Sequence, residues 1–364
     1  MKVTILHTPA DSAAPGLLLH LREILERGSI EVGSLVCSET GLPLPRYTGG
    51  GISAHADELR RELQTRFEQD SPDAVVLSDR LNGSKLVARR LAAQMGIGVL
   101  VLKESVFPSR VFFAPEGRPL FHTSEKNDPE APLEEYQKFR LERALENAFS
   151  LTERGPSPLP PGNHGHGTGL VIIDHSTYDS DGGALERTWA LVEEAKKAGE
   201  RIILCERWRD VCTDHADCGR YIVVVENAMA RRLPCRENQL RRLLRHCDWC
   251  ATNGSLHALE ALYLDKPVIV TDHCVYSGYG FSTDISSIDD CAQAILRLSQ
   301  EPPMSGSQLE KFHKFLYRFL FNDLIAADAK KHRFAEDSEQ RVLDALFRAL
   351  PLETGARVLP GAAK

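Results

Sequence analysis

The sequence predicts an α/β protein built from two doubly wound, mostly parallel-sheet domains. Three observations predict it. Short apolar runs such as Ala74-Val75-Val76-Leu77 and Val99-Leu100-Val101-Leu102 alternate along the chain with longer segments whose apolar residues recur at helical spacing. A Pro- and Gly-rich stretch, Arg154 to Gly169, cannot hold regular structure and divides this alternation into two halves. The length, 364 residues, is too great for one ordinary core and suits two domains of about 150 residues each.

In chain order, Lys2 to His7 reads as a strand, Gly16 to Glu26 as a helix on its LLLHLREIL pattern, and Glu31 to Cys37 as a second strand. A loop ending in Gly49, Gly50 and Gly51 follows. It lacks the spacing and the Lys-Ser/Thr pair of a phosphate loop, so a flexible loop is the better reading. Helix His55 to Gln69, strand Asp73 to Ser78, helix Gly83 to Met95 and strand Gly98 to Lys103 complete a parallel sheet with right-handed crossovers. Glu104, Phe107 and Arg110 come at the end of its last strand, before a hairpin-like VFFAPEGRPLF. A carboxylate there is placed for chemistry, and a salt bridge between Glu104 and Arg110 is the plain alternative. A charged helix over Asp128 to Asn147 closes domain 1–150, and 151–169 is the linker, where His164 and His166 read as linker composition.

The second domain, 170–305, opens with strand Leu170 to Asp174 and the acidic loop HSTYDSDGG, in which Asp179 and Asp181 serve as nucleophile, base, sugar ligand or helix cap. Helix Ala184 to Lys197, strands Arg201 to Cys205 and Tyr221 to Glu226, basic helix Arg236 to Arg245 and helix Ile288 to Leu298 surround the most ligand-like stretch, Cys250 to Asp284. There a buried strand ends in the turn Asn253-Gly254-Ser255, a helix runs from Leu256 to Leu264, and strand Val268 to Thr271 leads into a Gly- and Tyr-rich loop. This is one βαβ unit, and ligands of such sheets sit beyond the strands' carboxyl ends, where a helix N-terminus offers free N–H groups to an anion. Residues Leu309 to Leu350 read as helical. Their stripe Phe312, Phe315, Leu316, Phe319, Leu320 and Leu324 suits packing across both domains better than contact with a bilayer. Residues 351–364 read as a tail.

The formal charge of -7, with both signs mixed along the chain, argues against nucleic-acid binding. The N-terminal apolar run is too short for a signal sequence and no uninterrupted apolar stretch spans a bilayer, which points to a cytoplasmic protein; association with the cytoplasmic face of the inner membrane stays open. Nine cysteines form no regular framework, as in a reducing compartment. Cys247 and Cys250 make a C-x-x-C, with Cys205, Cys212, Cys218 and Cys235 upstream. They flank a buried strand, where Cys is commonly a small apolar filler, so no metal is expected.

Two doubly wound halves around a nucleotide-like site match the layout of a GT-B glycosyltransferase. The run Ala251-Thr252-Asn253-Gly254-Ser255-Leu256-His257-Ala258-Leu259-Glu260-Ala261-Leu262, then Lys266-Pro267-Val268, then Val275-Tyr276-Ser277-Gly278-Tyr279-Gly280-Phe281-Ser282-Thr283-Asp284 closely resembles the capsule-polysaccharide biosynthesis family of retaining Kdo transferases. That family carries a Ser, Gly-x-Glu-Ala-Leu, Gly-Lys-Pro-Val and a Tyr-Ala-Gly-Trp-Gly-Leu-Thr-like loop in this order. The Glu104, Phe107, Arg110 segment and the LVIIDHSTYDSD segment are similar in part. One departure is plain: where the family shows Lys-Pro-His-Pro, this chain has Glu206-Arg207-Trp208-Arg209-Asp210.

The resemblance implies CMP-Kdo as donor and transfer of Kdo (3-deoxy-D-manno-oct-2-ulosonic acid), with retention, onto a glycolipid or glycan in bacterial surface polysaccharide synthesis. The partners are then a nucleotide-sugar donor, a glycan or glycolipid acceptor and, with this left open, the inner membrane or other polysaccharide-assembly proteins. Asn253, Gly254, Ser255 and Leu256 would hold the phosphate, Glu260 the ribose, and Arg207 or Arg209 would replace the missing His. Tyr276 and Tyr279 would line the sugar pocket, with Phe107 and Arg110 on the acceptor side. Asp179, with Asp181 as its rival, would be the nucleophile and Glu104 the general base. A monophosphate donor held by amides and Arg needs no cofactor. The alternatives are another GT-B enzyme using a UDP-sugar, transferase or epimerase, and a catalytically silent GT-B binding module.

Overall fold

The computed structural model describes residues 1–7, 15–36, 54–78, 83–107, 109–115, 132–149, 167–174, 183–207, 221–225, 233–235, 237–298, 304–328 and 333–349. Strands β1 (Lys2–His7), β2 (Glu31–Val36), β3 (Ala74–Ser78), β4 (Gly98–Glu104) and β5 (Arg110–Pro115) belong to a first sheet with helices α1 (Pro15–Arg27), α2 (Ala54–Asp70) and α3 (Gly83–Gln94). Its order is completed by two late strands, β13 (Ile325–Asp328) and β14 (Arg333–Phe334), to give β14-β13-β5-β4-β3-β1-β2. The four strands from β2 to β4 are parallel, and β5, β13 and β14 add antiparallel at one edge. All five residues of β3 are buried, as expected of a parallel strand covered on both faces. Helices α1 and α10 (Glu339–Ala349) cover one face and α2 and α3 the other.

After α4 (Glu135–Phe149), the second sheet takes β6 (Thr168–Asp174), β7 (Arg201–Arg207), β8 (Tyr221–Val225), β9 (Leu233–Cys235), β10 (Trp249–Thr252), β11 (Val268–Val270) and β12 (Thr283–Asp284) in the order β12-β11-β10-β6-β7-β8-β9. The strands from β12 to β7 are parallel; β8 and β9 are antiparallel. Helices α5 (Gly183–Lys197) and α8 (Asp290–Leu298) cover one face, and α6 (Glu237–His246) and α7 (His257–Tyr263) the other. Two parallel-cored sheets, each sandwiched by helices, make the two Rossmann-like domains of the expected GT-B class.

The domains share one apolar core. Val106, Phe107 and Phe112 of the first domain pack with Leu170, Leu244 and Leu259 of the second and with Phe312, Phe315, Leu316, Phe319, Leu320 and Leu324 of the C-terminal segment. The aromatic stripe therefore packs across both domains. Helix α9 (Gly306–Arg318), which carries the first half of it, starts at a capping box of Ser305 and Gln308.

Three expectations are corrected. The continuous helix over Leu309 to Leu350 is broken: α9 runs into a π-helical turn, Phe319–Asp323, and β13 and β14 follow before α10. The reason is the open edge of β5, where Ile325 and Ala326 pair with Val111 and Arg110 while Ile325 fills the first core. Arg341 then donates to the Phe321 and Leu324 carbonyls that the turn leaves unpaired in the helix. The expected helix over Asp128 to Asn147 begins later, at Glu135, because Pro132 disfavours helix before it and Gln137 accepts from the Glu134 amide as a cap. The expected linker cannot extend to Gly169, since Thr168 and Gly169 already belong to β6; residues 150–166, Gly49 to Gly51, Cys212, Cys218 and the tail lie outside the described residues.

Candidate functional site

The site-forming unit lies at the carboxyl ends of β6, β10 and β11. Thr252 ends β10, and its Oγ1 accepts the Ser255 amide at 2.9 Å, folding residues 252–255 into a tight polar turn. Gly254 takes φ of 110°, a conformation that only glycine adopts without strain, which accounts for the Asn-Gly pair. Ser255 Oγ accepts the His257 amide at 3.4 Å, and the Ser255 carbonyl accepts both the Ala258 amide at 3.2 Å and the Tyr276 hydroxyl at 2.8 Å. The helix that follows stops cleanly: Asp265 takes the left-handed conformation (φ 59°) and the Lys266 amide closes on the Ala261 carbonyl at 3.0 Å.

Neighbouring elements hold the turn from both sides. Thr271, just past β11, donates its amide to the Thr252 carbonyl at 2.9 Å and shares its hydroxyl with Thr188 of α5 at 2.6 Å, while Arg187 Nε donates to the Thr271 carbonyl at 2.8 Å. The loop after β11 is pinned by its own side chains. Ser277 Oγ accepts the Cys274 amide at 2.9 Å and donates to the Asp272 carbonyl at 3.2 Å, and the Asp284 carboxylate accepts from the Gly278 amide and the Ser282 hydroxyl.

Beneath the turn lies a buried charge cluster. Glu260, 1% exposed, faces Arg241 Nε of α6 at 3.4 Å and His257 Nδ1 at 3.7 Å, and neither carboxylate oxygen accepts a hydrogen bond among the described residues. Arg241 also donates to the Ala148 carbonyl at 3.1 Å and to the Val106 carbonyl at 3.3 Å, both in the first domain.

The structure places the expected site residues as follows. Glu260 points into the interior rather than toward a ribose, because α7 packs that side against α6. Of the three amides expected to receive a phosphate, that of Ser255 is spent on Thr252; those of Gly254 and Leu256 carry no hydrogen bond among the described residues. Asn253 is buried in the same turn. Tyr276 is fully buried and fastens the turn instead of lining a sugar pocket, its phenol pushed well above its ordinary value by burial first and by Cys274 next. Tyr279 is half-buried, stacks on Phe281 and meets Phe315 edge-on, so it anchors the loop to α9. Phe107 belongs to the shared core, against Phe149 and Phe319, and not to an acceptor pocket.

Glu104 ends β4 and pairs through its backbone with Val111, the residue after Arg110. Burial, and then the nearby Arg341 charge, lower the Arg110 pKa, with Asp337 opposing, so its electrostatic neighbours come from the C-terminal segment. Glu104 and Arg207 are described as strand residues only; Asp179, Asp181 and Arg209 lie outside the described residues. The segment carrying the two aspartates is bounded by Asp174, at the end of β6 beside β10, and by α5, whose Thr188 bonds Thr271. The thiols of the C-x-x-C are core fillers: burial pushes Cys247 up to about 12 and Cys250 well above the usual thiol value. Sequence reasoning did not single out Thr252, Thr271 or Arg241. A Thr closing a strand before Asn-Gly is a recognisable turn signal, whereas nothing in the basic run around Arg241 marks it from its neighbours.

Residues 170–311 match the family described as capsule polysaccharide biosynthesis protein. The matched segment is less than half of the chain. It contains the turn, the buried cluster and the pinned loop. Among solved structures, the chain is similar to two proteins of Thermosulfurimonas dismutans: KpsC, beta Kdo 2,4 transferase (14% identity, TM-score 0.46, covering 95% of this chain and 98% of that one) and KpsC, beta Kdo 2,7 transferase (12%, TM-score 0.45, 95% and 99%). It is also similar to the UDP-GlcNAc 2-epimerase of Methanocaldococcus jannaschii (14%, TM-score 0.34, 88% and 99%). A search of curated protein sequences finds no match. No helix among the described residues is long and apolar enough to cross a membrane.

Proposed function

We propose that the chain is a glycosyltransferase of surface-polysaccharide synthesis that moves Kdo from CMP-Kdo to a glycan or glycolipid acceptor with retention. One observation carries the reading: the family match over 170–311 coincides with a rigid strand–turn–helix unit whose Gly254 and Leu256 amides are left for a ligand. The donor phosphate is assigned to those amides and to Arg207 or Arg209. Retention takes two displacements. The Asp179 carboxylate, or that of Asp181, attacks the anomeric carbon as the bond to CMP breaks and the electron pair leaves on the phosphate. The acceptor hydroxyl then displaces the carboxylate while Glu104 takes its proton. No metal or organic cofactor enters this scheme.

Thermal shift with CMP and with UDP tests the donor, since stabilisation by UDP alone overturns the CMP-Kdo assignment in favour of a UDP-sugar enzyme. For the chemistry, Asp179→Asn is expected to abolish release of CMP from CMP-Kdo with CMP binding intact, and Glu104→Gln to slow transfer far more than donor binding. The absent His of the Lys-Pro-His-Pro segment favours a second reading, a silent module that binds a glycan or a partner enzyme. Release of no CMP with any glycan acceptor, together with tight glycan or protein binding, selects it.

A further inference from the structure

We infer that Arg241 and Glu260 couple the turn at residues 252–255 to the placement of the first domain, with Arg241 as a positioning residue that acts through Glu260. The inference starts from where charge is buried. Nothing in a short Ala- and Leu-rich helix such as α7 requires a carboxylate on its inner face, and a buried carboxylate is stable only while its cation stays in place. That cation is Arg241, whose own side chain is 13% exposed. Its guanidinium is planar and rigid, so the direction of Nε toward Glu260 is fixed once the two terminal nitrogens are engaged. Both are engaged by the first domain: one by the Ala148 carbonyl near the end of α4, the other by the Val106 carbonyl in the turn between β4 and β5.

From Glu260 the connection continues upward. His257 Nδ1 faces the same carboxylate oxygen as Arg241, and the His257 amide is held by the Ser255 hydroxyl. The Ser255 carbonyl in turn takes the Tyr276 hydroxyl. A displacement of the first domain that moves Val106 and Ala148 therefore either draws Arg241 from Glu260 or is resisted by it, and Glu260 and His257 relay the change to the turn. Insofar as the turn is the donor site, which rests on the function proposed above, domain placement and donor binding are coupled in both directions.

Hydrogen exchange on the full chain tests this without any ligand. In Arg241→Lys, which keeps the charge and loses the fork, and in Arg241→Met, amides at 105–107 and 148–149 and those at 253–258 are expected to exchange faster together, by about tenfold or more. The double change Arg241→Met/Glu260→Met removes both charges. It is expected to restore the unfolding midpoint toward wild type while leaving the 253–258 amides fast, which a merely structural ion pair would not do. The coupling is overturned if exchange changes only around α6 and 105–107, or if the double variant restores the turn along with stability. Where Arg241→Met fails to fold, Arg241→Lys and Glu260→Gln carry the same comparison. Adding CMP to wild type separates the two ideas. Absence of protection at 253–258 itself counts against the nucleotide reading, while the ligand-free comparison still decides the coupling.

Discussion

Replacing Tyr276 by Phe removes one hydroxyl from the best-fastened point of the site, and the structure sets the size of the effect. The hydroxyl donates to the Ser255 carbonyl at 2.8 Å, but that carbonyl also accepts the Ala258 amide, so no buried acceptor is orphaned. The expected cost is that of one ordinary hydrogen bond, about 1 kcal/mol. Tyr276→Ala empties a fully buried ring position as well and is expected to cost about 3–5 kcal/mol. The pH dependence has a definite sign. Burial holds the folded-state phenol well above its free value of about 10, so its contribution is complete below that pH, and wild-type stability falls as pH rises beyond it by about 1.4 kcal/mol per unit. Phe has no proton to lose, so the advantage of wild type should shrink above about pH 10 and then reverse. Urea unfolding of the three proteins across that range is the assay. A Tyr276→Phe midpoint equal to wild type near neutral pH, with the same profile in alkali, would refute both the hydrogen bond and the burial argument.

Three further outcomes are expected. In Gly169→Ala the new Cβ would lie 2.1 Å from Trp249 Cζ2, so the indole must move and give up its bond to Glu200; a loss of about 1–3 kcal/mol with altered tryptophan emission is expected. Ser305→Ala deletes the cap of α9 and should cost about 1 kcal/mol in thermal unfolding, with Ser305→Gly costing only a few tenths. Cys247 and Cys250, buried and with thiols raised by burial, should resist a thiol reagent near neutral pH in the native protein and react once it is unfolded; rapid native labelling would contradict their role as core fillers.

The alternation of apolar runs made both sheets legible, because a parallel strand covered on both faces is buried along its whole length and so reads as a largely apolar run, as β3 and β11 do. The turn at Asn253-Gly254-Ser255 was legible for a related reason: its backbone needs a glycine and a nearby hydroxyl, and both are local requirements. Local pattern failed where distant chain decided the outcome. Residues 325–328 continue an apolar segment and become a strand only because β5, more than two hundred residues earlier, leaves its edge open. Arg241 escaped notice on similar grounds, since two of its partners, Val106 and Ala148, belong to the other domain and no spacing near it encodes them.

The structure turns several motif side chains inward, and burial gives the physical reason. A stretch that receives a charged ligand must hold its backbone amides rigid before the ligand arrives, since otherwise binding would have to order them. Side chains recruited for that fastening turn inward: Tyr276 onto the Ser255 carbonyl, Thr252 onto the Ser255 amide, Glu260 onto Arg241. What remains for a ligand is chiefly backbone, the amides of Gly254 and Leu256, so this stretch offers a place for an anion and little that discriminates one nucleotide from another. On the function proposed above, discrimination and chemistry would fall to neighbouring segments. The span 175–182 lies in sequence between β6, which pairs with β10, and α5, whose Arg187 and Thr188 grip the strand end next to the turn. If the proposed function holds, variants in that span should alter turnover and donor choice, whereas variants of Tyr276, Thr252 and Glu260 should first alter the rigidity of the turn.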